Sequence, residues 1–149
     1  MTYANGAFGA RDYEAIFDQA AQDWTATPTP VNYTKVSNTG SYDVRIDHFD
    51  NGADANMTYA VTYSFCSSTG YFVGTRNIQV NDYYMLSKPS SQVRGTVGHE
   101  LGHALGLDHQ YTTMSCSYYP LMFPYESRFT LCGVKTPRAD DIAGANALY

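Results

Sequence analysis

The chain reads as a single α+β domain, and three observations predict it. Apolar residues recur at helical spacing near the N-terminus, alternation of period two runs through the middle, and a second helical stripe follows around residue 100. No repeat or low-complexity linker interrupts its 149 residues. That length suits one domain, and a composition of 44% hydrophobic and 15% aromatic residues supplies a core for it.

Taken in order, Tyr13, Ile16, Phe17, Ala20, Ala21 and Trp24 form the stripe of a long amphipathic helix packed against a sheet, ended by Pro28 and Pro30. Val44, Ile46 and His48 then share one face of a strand. Met57, Tyr59, Val61, Tyr63 and Phe65 share one face of the next, and its milder face of Thr58, Ala60 and Thr62 is expected to meet solvent. Ile78 and Val80 mark a further short strand. After Pro89, Ser90 or Ser91 caps a second helix whose core stripe is Val93, Val97, Leu101 and Leu105. Thr136 as cap and Pro137 at the first helical position open a C-terminal helix, where Asp140 and Asp141 complement the N-terminal dipole.

The second helix also carries chemistry. In His99-Glu100-Leu101-Gly102-His103-Ala104-Leu105-Gly106-Leu107-Asp108-His109, the first two histidines are one turn apart and project from one face, off the apolar stripe. Gly106 can take a positive φ, which turns the chain away and brings His109 back. Three imidazole nitrogens around one ion leave a tetrahedral position for water, the pattern of a catalytic rather than a structural zinc. Glu100 is the natural base for that water, whose pKa a zinc ion lowers from near 16 toward about 7. A lone histidine pair on a helix is ordinarily decoration. The extension through Gly106 and His109 makes coincidence rarer by roughly a thousandfold.

Over these residues the chain resembles the metzincin clan of zinc peptidases, matching its HExxHxxGxxH signature at every fixed position. Ser117 to Tyr125, with Leu121-Met122-Phe123-Pro124, looks like the methionine turn of the matrixin (matrix-metalloproteinase-type) family, so Met122 rather than Met114 is the expected thioether floor. Phe123-Pro124 leaves no tyrosine two residues after Met122, which separates the chain from the astacin and serralysin types. Asp140 to Tyr149 looks like the closing helix of a matrixin catalytic domain. The resemblance implies a twisted mixed sheet packed on two long helices, with an active-site cleft and a small C-terminal subdomain ending in a helix. Residues 1–106 would form the upper subdomain and residues 107–149 the lower.

By resemblance the activity is zinc-dependent endopeptidase cleavage of protein or peptide substrates, with Glu100 as the catalytic residue and His99, His103 and His109 as ligands. The alternative is a catalytically silent zinc-containing peptide-binding domain on the same scaffold; retention of Glu100 argues against it. The substrate would lie extended beside an edge strand, for which Thr58 to Ser64 is the candidate. Tyr125, Phe129 and Leu131 fall where the family walls the pocket for the residue after the scissile bond. Only His48 lies outside the motif, so one zinc is expected rather than two, and His48 itself reads as packed and bonded to a neighbour. The loop from Asp47 to Asn56 has Asp50, Asn51, Asp54 and Asn56 around Gly52, a composition shared by calcium loops and ordinary turns.

Cys116 and Cys132 bracket the methionine turn, and a disulfide between them would close that loop and leave Cys66 as a free, half-buried thiol. A cysteine ligand for the metal is disfavoured because no C-x-x-C pair occurs. A formal charge of −5 provides no basic surface for nucleic acid or anionic lipid, and no run approaches the ~20 apolar residues of a membrane span. The N-terminus lacks signal-peptide features. Family resemblance then implies a secreted monomer whose signal and pro-segment precede this chain.

Overall fold

In the computed structural model, which describes residues 1–6, 11–50, 52–53, 56–112 and 115–149, the sheet has five strands. These are β1 (Thr2–Asn5), β2 (Thr34–Lys35), β3 (Val44–Phe49), β4 (Ala60–Cys66) and β5 (Phe72–Asn81), in spatial order β2-β1-β3-β5-β4. All neighbours are parallel except β4, which runs antiparallel to β5 and forms one edge. The mixed sheet expected from the family is therefore present. Its interior strands bury Val44, Ile46, Ile78 and Val80 completely.

Helix α1 (Glu14–Thr25) and helix α3 (Ser90–Leu105) pack together over this face. The α1 stripe is buried at Phe17, Ala20, Ala21 and Trp24, and Val93, Val97, Leu101 and Leu105 of α3 are buried as expected. Polar bonds fix the pair in register: the Trp24 indole N–H donates to Gly98 O at 2.8 Å, and Arg94 pairs with Asp23. The Tyr33 hydroxyl donates to Leu101 O at 2.9 Å from the loop before β2. Each replaces a water bond for a group that the core would otherwise orphan.

Several boundaries differ from expectation. Helix α3 is preceded by Pro89, and neither Ser90 nor Ser91 caps it, because both already lie within the first turn. The C-terminal helix α5 is Ala139–Leu148, so Thr136 and Pro137 precede it, and Arg138 stands at the N-cap with its backbone N–H donated to the Asp141 carboxylate. Asp141 does more than complement a dipole, as the site shows. The strand at Ile78 and Val80 is ten residues long rather than short. Strands β1 and β2 and the short helix α2 (Asp82–Met85) carry no alternation or stripe long enough to read.

The faces of β4 are the reverse of those expected. Tyr63 and Phe65 are 50% and 69% exposed, whereas Thr62 points toward α3 and bonds to it. The helix crosses this end of the sheet on the threonine side, and a register shift between Tyr63 and Phe65 disturbs the ladder beyond it. His48 is packed as expected, with Nδ1 2.8 Å from Asp82 Oδ2, while the Tyr13 hydroxyl donates to Asp82 Oδ1 at 2.7 Å. Asp50 accepts from Gly52 N–H at 2.9 Å, a turn bond; Asn51 and Asp54 of the same loop lie outside the described residues, as does Met114.

Candidate active site

Helix α3 ends where the sequence requires a turn. Gly106 has φ +100°, and Leu107 N–H bonds to Gly102 O at 3.0 Å while Gly106 N–H bonds to His103 O at 2.9 Å, the paired bonds of a Schellman cap. That left-handed residue redirects the chain so that His109 lies against the helix it has just left. Gly102 is the second position where only glycine fits, since a Cβ there would collide with Met122 Sδ and approach Trp24 Cζ2 to 3.2 Å. Met122, 1% exposed, thus packs against the turn that carries the histidines.

The three imidazoles converge. His109 Nε2 lies 3.1 Å from His103 Nε2 and 3.2 Å from His99 Nε2. His99 Nδ1 is 2.8 Å from Leu121 O, and His103 Nδ1 is 2.8 Å from Leu107 O. A carbonyl only accepts, so both Nδ1 atoms carry the proton and both Nε2 atoms present lone pairs. A single proton satisfies one such pair, but a cation satisfies all three. Tetrahedral ligands at 2.0–2.1 Å from zinc stand about 3.3–3.4 Å apart, close to the spacing found. The cluster fits a zinc site, and it is the group of this kind among the described residues. Burial holds His99 well below its ordinary pKa and lowers His109 as well, which keeps both imidazoles in the neutral, ligating form.

Glu100 is buried beside them. The Thr62 hydroxyl lies 2.7 Å from its Oε2 and 3.0 Å from its backbone oxygen. Burial raises the pKa of this carboxyl, while the Thr62 bond and the charge of Arg128 oppose the rise. Two hollows, of about 480 and 530 Å³, meet at Ala60, Glu100 and His109. Together they form a channel along β4 that passes the histidines.

Beneath the site, Asp141 is 2% exposed and accepts three backbone N–H bonds, from Leu121 at 2.8 Å, Met122 at 2.9 Å and Arg138 at 2.7 Å. Burial pushes its pKa up against those bonds. Leu121 thus receives Asp141 on one side of its residue and His99 on the other, linking α5 to the first histidine. Cys116 and Cys132 form a disulfide, and Cys66 is exposed rather than half-buried because it ends the β4 edge strand.

Of the residues expected to wall the pocket, Tyr125 lines the 480 Å³ hollow. Leu131 does not; it is 78% exposed, on the turn that follows the short helix α4 (Ser127–Thr130). Phe129 is half-buried and also outside the hollow, because α4 turns Arg128 inward in its place. Sequence reading missed Arg128, Thr62 and the anchoring role of Asp141.

The matrixin family model matches residues 1–149. The chain belongs to the matrixin family. Among characterised relatives it is 29% identical over 143 residues to macrophage metalloelastase of Oryctolagus cuniculus and 28% identical over 143 residues to interstitial collagenase of Bos taurus. Each alignment covers 93% of this chain but only 29% and 28% of those proteins, so the chain spans less than a third of their length. The crystal structure of myroilysin superposes with a TM-score of 0.59 at 17% identity, covering 99% of this chain and 82% of that one. That likeness supports the mixed-sheet fold. Membership of the matrixin family supports a zinc metalloprotease. No helix among the described residues is long and apolar enough to cross a membrane.

Proposed function

We propose that this matrixin is a zinc-dependent endopeptidase in which His99, His103 and His109 hold one zinc ion and Glu100 moves the proton. The observation that carries the proposal is the convergence of three Nε2 atoms, those of His103 and His99 lying 3.1 and 3.2 Å from that of His109, beside a buried carboxylate. When bound, zinc supplies polarisation of the scissile carbonyl and acidification of water. Glu100, with a raised pKa, takes the proton of the attacking water and returns it to the departing amine nitrogen. Thr62 holds Oε2 in place during both transfers, and the carbonyls of Leu121 and Leu107 keep the histidine rings turned inward.

Strand β4 pairs with β5 on one side only, which leaves its other edge to hydrogen-bond an extended substrate along the channel. The channel separates an upper part, residues 1–106, from a lower part, residues 107–149, which walls it with Tyr125 and packs Met122 behind the histidine-bearing turn. A disulfide at Cys116–Cys132 suits an oxidising compartment, and the protein acts as a secreted monomer.

Mass-spectrometric cleavage of a mixed peptide library by the zinc-loaded protein tests the reading. Internal cuts that vanish with chelator are expected. A folded, zinc-containing protein that cuts nothing would overturn the proposal in favour of the silent peptide-binding domain.

A further inference from the structure

Two polar groups line the 480 Å³ hollow without bonding to Glu100 or to the three histidines. Arg128 is 4% exposed, and its Nη1 donates to Phe123 O at 3.0 Å and Tyr125 O at 3.4 Å. A guanidinium has five N–H groups, and among the described residues none of the ion pairs includes Arg128. Burial lowers its pKa against the opposing pull of Glu126, Glu100 and Asp141, none of which lies at ion-pair distance. Thr96 is also 4% exposed, and its Oγ1 is buried without a partner. It lies one turn before Glu100 on α3, so both face the same way. Buried charges and hydroxyls are ordinarily paired, so a guanidinium held only by two backbone carbonyls, with no carboxylate at ion-pair distance, and an orphaned hydroxyl, both lining one hollow beside the reacting group, point to a ligand that pairs them.

We propose that this hollow takes an acidic side chain, an aspartate or glutamate of the substrate adjoining the scissile bond, with Arg128 as its counter-ion and Thr96 as a second donor. The inference rests on the peptidase reading above and names its substrate class. The other lining fits: Met57, Tyr59, Ala60 and Pro124 can cover the methylenes of a glutamate. Two carboxylates of the chain also line the hollow. Glu126 is half-exposed and already accepts from Gln92, so solvent screens it; Glu100 is held by Thr62 and faces the histidine cluster. A lysine would enter against a buried like charge.

The test is the kcat/KM of the zinc-loaded protein on matched peptides carrying Glu, Asp, Gln, Asn, Leu or Lys on either side of one cleavage point. A charge-assisted bond in a dry pocket should favour each acid over its amide by about tenfold to a hundredfold. Thr96→Val should reduce that preference by about fivefold, and Arg128→Gln should abolish it. A wild type that cuts but prefers Leu or Lys at both positions overturns the inference and leaves the peptidase reading intact. Failure to cut any peptide, with zinc bound and the fold retained, overturns both. Acid preference surviving in folded Arg128→Gln would refute the assignment to Arg128. If that variant does not fold, the wild-type profile and Thr96→Val decide.

Discussion

Replacing Asp141 with alanine should unfasten the floor of the site. Its two carboxylate oxygens accept from Leu121, Met122 and Arg138 N–H groups at 2.7–2.9 Å, in a position only 2% exposed. Hydrogen bonds to a charged group contribute about 1.5–3 kcal/mol each, and a buried donor left unpaired costs about 1–3 kcal/mol. Three such bonds would suggest a loss near 6 kcal/mol. Two effects reduce it: the carboxylate's own burial cost disappears, which its raised pKa reports, and water can enter the space. A net destabilisation of about 3 kcal/mol remains, a large share of the 5–15 kcal/mol typical of a domain. For a chain of this size that lowers Tm by about 6–12 °C. Because Leu121 O also accepts from His99 Nδ1, loosening this residue should weaken zinc affinity by about tenfold to a hundredfold. Urea melts of zinc-free protein and competition with a chromophoric chelator read the two effects separately. Unchanged values for both would refute the reasoning that α5 holds the histidine.

Three further outcomes are expected. Thr62→Val should lower kcat/KM by about tenfold while leaving zinc content at one equivalent, since the lost bond orients Glu100 alone; a change in zinc content with no change in rate would contradict this. Opening the Cys116–Cys132 disulfide by replacing both residues with serine should cost about 3 kcal/mol, as expected for closing a loop of 16 residues, and an unaltered urea midpoint would count against it. Asp43 accepts from Thr2 N–H at 2.7 Å, which lowers its pKa, so its contribution is present above the unfolded value near 3.9 and is lost as pH falls through the lower folded value. Asp43→Asn should therefore destabilise the protein by about 1 kcal/mol at pH 7 and by progressively less toward pH 3, with a constant difference as the contradicting result.

The parts of this molecule legible in its sequence are those governed by local geometry. One helical turn separates His99 from His103, and a glycine at residue 106 fixes the return of His109, so the site could be read from eleven consecutive residues. The α1 and α3 stripes were legible because burial on one face imposes a period. Strand β1 was not, since it lies between β2 and β3 and its four residues are too few to show a pattern. The facing of β4 went wrong for a tertiary reason: the aromatic face looks like a core face until α3 is placed on the threonine side. Asp141 looked like a dipole residue because its Leu121 and Met122 partners are about twenty positions away. Phe129 and Leu131 were favoured over Arg128 by hydrophobicity, but a single turn of helix presents only one of those side chains to the hollow.

The central claim, that three histidines and Glu100 form one hydrolytic centre, is tested most directly by Glu100→Ala assayed for zinc and for cleavage in the same preparation. The account predicts one equivalent of zinc and a fall in kcat/KM of at least about a hundredfold to ten-thousandfold, the range for loss of a general base. Wild-type rates in a zinc-loaded Glu100→Ala protein would contradict it.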